Sequence, residues 1–387
     1  MFEYQKQNRY FAQIAGGSEK EGMEELEELG ATNLKKAYRG AYFKADKKIL
    51  YKINYMSRLI TRVLAPITTF GCRSTDQLYA IAKRIDWQKF IKPSNTFAIF
   101  SNVSHSKITH SKYAALRLKD AIVDLFREKT GQRPSIDTRN PDVWFNLYIE
   151  NDKAVISFDT SGGSLHRRGY RAESVETPMQ ETLAAAIIRF SRWDGEKPFY
   201  DPMCGSGTLV SEALMHYCRI PSGFLRKRFG FECMPDFDKA AWKLIKSKAD
   251  VKIRSLPKGM ISASDISKKA INIFKQNNKH LPYYERINVS VSDFRKLTNL
   301  DNHIIITNPP YGIRLGNKSE IKELYKDFGN FLKQQCKGST AYVYIGDRDQ
   351  IKSVGLKPAI KKPMVNGAID GRLCKFEIYA RRVNVEY

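Results

Sequence analysis

The chain has 387 residues, which is long for one hydrophobic core and predicts two or three domains. Lys and Arg number 65 against 41 Asp and Glu, so the formal net charge is +24 and the sequence pI is near 9.6. This excess favours nucleic acid as the partner, because phosphates release counterions when they bind basic groups. An anionic membrane surface is the alternative partner.

The sequence contains no apolar run of membrane-spanning length, and its start at Met1 lacks the features of a signal peptide. We therefore expect a cytoplasmic protein without a membrane contact and without a stable protein partner. Six cysteines are scattered with no Cys-x-x-Cys spacing and no paired histidines, so we expect neither disulfides nor a metal site.

The first 65 residues alternate short strands and helices. The expected elements are a strand at 10–15, an acidic helix at 18–29, two strands within 34–44 and a helix at 48–64. Because Pro66 would break that last helix, we interpret 1–65 as a small α+β domain.

Residues 66–160 combine strands with a basic amphipathic helix that starts near Ser111. Polar and cationic side chains where a loop enters a helix can bind phosphate through open amides and the helix dipole. The candidates are His105, Lys107, Lys112 and Arg117. The alternative is an ordinary solvated face; the region as a whole predicts a binding domain.

A basic segment at 161–175 follows, with Arg167, Arg168 and Arg171 close to an aromatic residue. It is either a plain basic linker or a segment that contacts a nucleic acid strand.

A strand, a glycine-rich loop and a helix are expected in succession at 199–214. Gly205 and Gly207 permit close approach of the backbone to a ligand, and Asp201 places a carboxylate at the strand end. The loop matches neither the NTPase nor the dinucleotide motif, which disfavours a pyrophosphate ligand. A carboxylate here suits a ligand with a cationic amino-acid end.

Two further strands end in acids, at Asp265 and Asp293. Asp265 suits ribose hydroxyls and Asp293 suits an adenine amino group, although either acid could instead cap a helix. Together with the glycine loop they predict a pocket for an adenosine that carries an amino-acid tail. S-adenosylmethionine fits this description best.

Three isoleucines at 304–306 predict a strand buried on both faces. Pro309 and Pro310 end the strand and hold the Asn308 amide at the edge of the sheet, next to the ring of Tyr311. This arrangement suits a planar group that carries an amino substituent; the alternative is an ordinary turn.

In this order, the segments resemble the class I S-adenosylmethionine methyltransferases that modify exocyclic amino nitrogens. Residues 97–126 resemble a THUMP domain, an RNA-binding module. The junction at 165–183 is similar to that of the bacterial large-subunit ribosomal RNA guanine-N2 methyltransferases. The resemblance covers nearly the whole chain.

The resemblance implies an α/β fold with a Rossmann-like class I methyltransferase domain at 176–387. A ferredoxin-like domain at 1–65, a THUMP domain at 66–160 and the basic linker at 161–175 precede it. The implied activity is methylation of guanine N2 in 23S ribosomal RNA, with S-adenosylmethionine as cofactor. Guanine N2 in tRNA and adenine N6 in DNA are alternatives, and a non-catalytic RNA-binding assembly factor is an alternative of another class.

The resemblance also assigns roles to residues. The implied catalytic residues are Asn308, Pro309, Pro310 and Tyr311. Of these, Asn308 and Pro309 would hold the target amine, and Tyr311 would stack on the base. The implied cofactor contacts are Asp201, Pro202, Cys204, Gly205, Gly207, Thr208, Asp265 and Asp293, with Thr177 and Pro178 at the border. Ser267 stands where other members have a second acid. Some members carry a second methyltransferase domain, and we expect none after Tyr387.

Overall fold

A computed structural model describes residues 1–171, 179–310 and 318–379. Within these ranges no helix has both the length and the apolar character needed to cross a bilayer. The chain divides into two compact units. The first contains Met1–Ile14, Gly22–Leu165 and Arg226–Lys248, and the second contains the described residues of Ala15–Glu21, His166–Leu225 and Ala249–Tyr387.

One sheet organises the first unit. Its strands are β1 (Arg9–Ile14), β2 (Thr32–Ala37), β3 (Gly40–Lys44), β4 (Ile60–Gly71), β5 (Thr96–Ser104), β6 (Ser135–Ile136), β7 (Val143–Glu150) and β8 (Lys153–Asp159). They lie in the order β2-β3-β1-β4-β8-β7-β5-β6. The segments expected as two α+β domains therefore share a continuous sheet, joined where β4 pairs with β8.

The prediction of a helix at 48–64 was wrong for its second half. Residues Lys47–Met56 form helix α3, but β4 begins at Ile60 and pairs with β1 on one side and β8 on the other. Pro66 lies inside this strand, where the register shifts. A bulge tolerates proline because the missing N–H leaves no ladder hydrogen bond unmade.

The helices include two long elements, α5 and α10, and several shorter ones. They are α1 (Glu3–Gln7), α2 (Glu19–Glu28), α3 (Lys47–Met56), α4 (Thr75–Ala82), α5 (Ser111–Thr130), α6 (Glu181–Ser191), α7 (Thr208–Tyr217), α8 (Lys239–Asp250), α9 (Lys268–Asn278) and α10 (Lys318–Gln335). Helix α8 lies in the long segment between Asp201 and Asp265, and we call the part Arg226–Lys248 the inserted segment.

The second unit contains a mostly parallel sheet. Its strands are β9 (Phe199–Asp201), β10 (Ile261–Asp265), β11 (Asn288–Val291), β12 (Ile304–Thr307), β13 (Thr340–Ile345), β14 (Ile360–Asn366) and β15 (Ile369–Glu377). Their order is β11-β10-β9-β12-β13-β15-β14, and β15 runs antiparallel to both of its neighbours. The strand order reverses between β9 and β12, which places a ligand crevice at the carboxyl ends of these strands.

The buried strand expected at the three isoleucines is confirmed as β12. Ile305 and Ile306 are fully buried, on opposite faces of the strand, and β12 pairs in parallel with both β9 and β13.

The inserted segment contributes to the first unit. Trp242 of α8 lies 5.2 Å from the ring of Tyr55 and 5.1 Å from that of Phe231, and Phe231 lies 4.6 Å from Tyr51. Part of the sequence after residue 176 thus belongs to the core of the N-terminal sheet. The four domain limits given above stay a prediction.

Candidate active site

Asp201 ends β9 as a buried carboxylate with two hydrogen-bond donors. The hydroxyl of Thr307, at the end of β12, donates to Asp201 Oδ1 at 2.7 Å, and the backbone N–H of Met203 donates to the same oxygen at 3.2 Å. These contacts form because β9 and β12 are adjacent parallel strands whose carboxyl ends share one edge.

Burial controls the charge of Asp201, which is 1% exposed. The pKa of Asp201 is raised to about 7, chiefly by loss of water around the carboxylate and further by the like charge of Asp265. The hydrogen bonds from Thr307 and Met203 oppose this rise. A cationic group in the adjacent cavity would favour the ionised form.

Asp265 connects β10 with the glycine loop. Its Oδ2 accepts from the backbone N–H of Gly205 at 2.8 Å, and its Oδ1 accepts from the N–H of Ser267 at 2.9 Å. The N-cap of α9 is Ser267, whose side chain accepts from the N–H of Ala270. Asp265 therefore does not act as the N-cap that was the alternative for it.

Asp293 follows β11 and caps a short 3₁₀ turn by accepting from the N–H of Arg295 at 3.0 Å. The Arg295 guanidinium also pairs with Asp293 at 3.2 Å and with Asp327 of α10 at 2.7 Å. Asp293 therefore caps a turn and also lines the cavity, and its contact with an adenine amino group stays a prediction.

The two glycines of the loop, Gly205 and Gly207, have different structural roles. Gly207 has φ +82°, and a Cβ there would lie 1.9 Å from the Phe274 ring on α9. Gly205 has φ +54°, and a Cβ there would meet no atom within 4 Å. Gly207 thus allows the loop to pack on α9, whereas Gly205 leaves the backbone open to a ligand.

Asn308 follows β12, and its side-chain oxygen Oδ1 is buried. Among the described residues no donor reaches this oxygen. A buried acceptor without a donor is costly, so it marks a place where a ligand donor would be stabilising. Pro309 is buried, and Tyr311 lies outside the described residues.

A cavity of about 500 Å³ connects these side chains, within the size range of small-molecule sites. The predicted residues that line it are Asp201, Pro202, Cys204, Gly205, Thr208, Asp265, Asp293, Asn308 and Pro310. Gly207 and Pro309 are not part of the lining, and Thr177 and Pro178 lie outside the described residues. Burial raises the pKa of the Cys204 thiol well above its ordinary value, so Cys204 contributes a neutral surface.

Sequence reasoning missed other lining residues. They are Met179, Met203, Ser206, Leu209, Ile266, Phe294, Arg295, Glu320, Glu323 and Leu324. Ile266 and Phe294 directly follow the two strand-terminal acids, and this position was the available signal. Glu320 and Glu323 had none, because acids on an amphipathic helix usually lie on a solvated face.

The residues predicted to bind RNA fall into two groups. His105, Lys107 and Lys112 are exposed near the start of α5, and Arg117 is paired with Asp76 at 3.0 Å. These four remain candidates.

The prediction for Arg168 was wrong. Its side chain is 1% exposed, and its Nε lies 3.1 Å from Glu212 Oε1, so it offers no surface to a nucleic acid. Arg171 donates to the Met179 carbonyl at 3.0 Å and to the Thr208 hydroxyl at 2.8 Å, which supports the cavity wall from behind. Arg167 is exposed, and its contact with RNA stays a prediction.

Family models match three parts of the chain. The model described as the RMKL-like methyltransferase domain matches residues 168–375, the THUMP domain model matches 72–159, and the RlmL ferredoxin-like domain model matches 9–64. The chain belongs to the RMKL-like methyltransferase family. This membership confirms the expected fold, with ferredoxin-like and THUMP domains before a class I methyltransferase domain, and it confirms that the enzyme is a methyltransferase. Nothing supports the non-catalytic alternative.

Relatives of this RMKL-like chain cover almost all of it. A protein of Synechocystis sp. that carries the provisional name RNA methyltransferase is 35% identical over 371 residues, which is 96% of this chain and 97% of the relative. The ribosomal RNA large subunit methyltransferase K/L of Photobacterium profundum is 35% identical over 385 residues, which is 98% of this chain and 54% of the relative. The chain therefore spans about half the length of that K/L relative.

A solved structure has the same fold over nearly the whole chain. The crystal structure of SMU.472, a provisionally assigned methyltransferase complexed with SAH, matches with a TM-score of 0.82 at 27% identity. The match covers 97% of this chain and 98% of that one.

Proposed function

We propose that this protein transfers a methyl group from S-adenosylmethionine to the N2 amine of guanine in large-subunit ribosomal RNA. The observation that carries the proposal is Asn308 Oδ1, a buried acceptor without a donor, on the wall of the cavity that the strand-terminal acids line. The name of the K/L relative supports ribosomal RNA as the substrate. A cytoplasmic location belongs to the same proposal.

The cavity fits S-adenosylmethionine, which supplies an electrophilic methyl group on a sulfonium centre. Asp201 would face the ammonium of the amino-acid tail, and Asp265 would accept from the ribose hydroxyls. Ile266 is 68% exposed and Phe294 lines the same cavity, so together they offer apolar contact to an adenine ring. The open backbone at Gly205 lets the ligand approach the loop.

Asn308 positions the acceptor. Its Oδ1 and the Pro309 carbonyl would accept hydrogen bonds from the target amine, which would weaken conjugation of the nitrogen lone pair with the ring. The neutral amine attacks and loses its surplus proton afterwards, so no general base is needed first. Positioning then supplies most of the acceleration, and the base must leave its stack to enter the cavity.

Glu320 and Glu323 favour guanine over adenine. Both line the cavity from α10. Guanine presents a donor at N1–H, next to the target amine, and a carboxylate can accept this hydrogen bond. Adenine presents an acceptor at N1, which a carboxylate repels. This argument does not separate ribosomal RNA from tRNA.

The variant Asn308→Ala tests the assignment. We expect kcat for RNA methylation to fall by about 100-fold or more, because the lost contact acts on the reacting amine. The Kd values for S-adenosylmethionine and for RNA should stay near those of the wild type. An unchanged methylation rate in Asn308→Ala would refute the proposal.

Nucleoside mass spectrometry identifies the substrate. Ribosomal RNA and tRNA from cells with and without the gene are digested and compared. Loss of N2-methylguanosine from large-subunit ribosomal RNA alone is the expected result. Loss from tRNA only, or loss of N6-methyladenine from DNA, would move the assignment to one of the two alternative substrates.

A further inference from the structure

Two sides of the cavity wall are in direct contact. Asp293 and the 3₁₀ turn Phe294–Lys296 lie where we place the adenine of the cofactor, and helix α10 lines the same cavity. The buried ring of Phe294 lies 5.7 Å from the rings of both Phe328 and Phe331 of α10. A side chain on the adenine side is therefore packed against the helix that would recognise the acceptor base.

Helical spacing lets α10 reach both the 3₁₀ turn and the cavity. Four of its residues stand at positions i, i+3, i+4 and i+7 and so share one stripe of the helix: Glu320, Glu323, Leu324 and Asp327. The first three line the cavity, and Asp327 pairs with Arg295 of the turn. Because a helix moves as a rigid element, the position of Asp327 also determines where the two glutamates lie.

Arg295 is shared between two carboxylates, one on each side. Its Nε lies 2.7 Å from Oδ2 of Asp327, and its Nη1 lies 3.2 Å from Oδ2 and 3.4 Å from Oδ1 of Asp293. Its backbone N–H donates to Asp293 Oδ1 at 3.0 Å. Among the described residues that line the cavity, Arg295 is the one cation. The planar guanidinium can hold both carboxylates at once because its donors point in fixed directions.

Asp293 still has room for a ligand, and the Arg295 bridge is partly open to water. A carboxylate has about four sites for hydrogen bonds, and contacts from Arg295 fill all but one of them on Asp293. An amino donor of adenine can take the remaining site. The side chains of Arg295 and Asp327 are 43% and 34% exposed, so holding them in one geometry costs rotamer entropy.

We propose that Arg295 is a positioning residue that makes the binding of cofactor and RNA cooperative. A donor from adenine fixes Asp293, Asp293 holds the guanidinium, and the guanidinium holds Asp327 together with the stripe of α10 that carries the glutamates. RNA then meets a bridge that is already ordered, so the entropy cost is not repeated. The inference rests on the proposed function, because it takes guanine in large-subunit ribosomal RNA as the base that α10 recognises.

The ratio of two Kd values measures this cooperativity. The probe is an unmethylated transcript of large-subunit ribosomal RNA, and filter binding with the full chain gives its Kd without ligand and with saturating S-adenosylhomocysteine, which cannot react. We expect S-adenosylhomocysteine to lower the Kd for RNA by about 2- to 5-fold, since the bridge is partly exposed. Calorimetry of S-adenosylhomocysteine with and without the transcript should give the same factor, because coupling between two ligands is reciprocal.

Asp327→Ala is the decisive variant, because Asp327 pairs with Arg295 but is outside the described cavity lining. The variant removes one end of the bridge and leaves the described lining side chains in place. Its ratio of Kd values should therefore fall to about 1, with the Kd for RNA alone unchanged. Arg295→Gln removes the bridge from the other end and should lose the cooperativity as well.

Lys296→Gln is the matched control. Lys296 is exposed in the same 3₁₀ turn and is outside the described cavity lining, so its replacement removes one positive charge without a change in the bridge. The ratio of Kd values should stay at the wild-type value. A lost ratio in Lys296→Gln would show that net charge, and not the bridge, produces the effect, and would overturn the inference.

An unchanged ratio in Asp327→Ala, or equal loss of RNA affinity with and without S-adenosylhomocysteine in Arg295→Gln, would also overturn the inference. The second result would indicate a direct phosphate contact of Arg295. Wild-type methylation of the same transcript, measured as N2-methylguanosine, tests the proposed function separately. A methylated transcript with a wild-type ratio of 1 refutes the cooperativity alone, whereas absence of methylation refutes the proposed function and this inference with it.

Discussion

Asp201 and Asn308 lie at the carboxyl ends of two adjacent strands, β9 and β12, and both line the cavity. Asp201 is the last residue of β9 and Asn308 directly follows β12, and each has a polar side-chain atom buried from water. Asp201 retains donors from Thr307 and Met203, whereas the Asn308 oxygen has none among the described residues. A ligand that brings a cation to Asp201 and a donor to Asn308 would satisfy both.

The pKa of Asp201 predicts a pH dependence. It is raised from 3.8 to about 7, so the folded state holds a proton that the unfolded chain releases. This contribution to stability is complete below about pH 4 and is lost as the pH rises through about 7. We expect wild-type stability to decline relative to Asp201→Asn over this window, measured by urea unfolding at several pH values.

Cofactor affinity should change in the opposite direction. Because the ionised carboxylate attracts an ammonium group, the affinity for S-adenosylmethionine should increase with pH up to about 7, by at most tenfold per pH unit. Asp201→Asn should bind weakly with a flat profile in calorimetry. Parallel pH profiles for the two proteins would contradict this role of Asp201.

The glutamates of α10 predict base selectivity. In the double variant Glu320→Gln and Glu323→Gln, one acceptor of each carboxylate becomes a donor. We expect kcat/KM for guanine to fall by about tenfold or more, with the affinity for S-adenosylmethionine unchanged. Glu285→Gln, on an exposed turn outside the cavity lining, is the control. Wild-type guanine kinetics in the double variant would exclude these carboxylates from base recognition.

At the scale of elements, one continuous strand–loop–helix segment consists of β9, the glycine loop and α7. Helix α7 begins at Thr208, and Ser211 donates back to the Gly207 carbonyl at 2.7 Å. The loop is fixed to β10 through Gly205 and Asp265, and to α9 through the contact of Gly207 with Phe274. Gly207 therefore allows the loop to pack on α9, and Gly205 of the same loop allows a ligand to approach.

Alanine at each glycine separates these two roles. Gly207→Ala should lower the free energy of unfolding by roughly 1–3 kcal/mol, because the added methyl overlaps the Phe274 ring and the positive φ is strained. Gly205→Ala meets no protein atom, so it should cost about 1 kcal/mol of backbone strain and mainly reduce cofactor affinity. Urea unfolding and calorimetry measure the two quantities, and equal effects of both variants would contradict this division.

At the scale of the whole molecule, the inserted segment shows that chain order and compact units differ. Arg226–Lys248 belongs to the first unit, although it lies within the matched methyltransferase region. Trp242 packs with Tyr51, Tyr55, Phe229 and Phe231, at ring distances between 5.1 and 6.5 Å. Removing this segment would expose the rings of Tyr51 and Tyr55.

Trp242→Ala should therefore destabilise the first unit. We expect a loss of roughly 2–4 kcal/mol in the free energy of unfolding, since an aromatic cluster loses its central ring. Leu244→Ala on the same helix is the control, because Leu244 is 54% exposed and its loss should change the stability by less than about 0.5 kcal/mol. Similar stability of both variants in urea unfolding would show that the segment contributes little to the core.

The sequence by itself determined the strand-terminal chemistry. Four polar residues stand at the carboxyl ends of strands: Asp201, Asp265, Asp293 and Asn308. Because the carboxyl ends of parallel strands share one edge, the chain order sufficed to predict one site. The family resemblance then supplied the reaction.

Only the tertiary structure decided which surfaces are open. Leu50, Ile53, Ile60 and Leu64 follow helical spacing, yet pairing with β1 and β8 made 60–71 a strand, because ladder partners distant in sequence outweigh local propensity. The sequence around Arg168 does not indicate that this side chain will be buried in an ion pair with Glu212. The sequence of α10 likewise does not indicate that Glu320 and Glu323 will line a cavity. Period-two alternation likewise predicts two faces of a sheet, but long-range packing determines which face stays exposed.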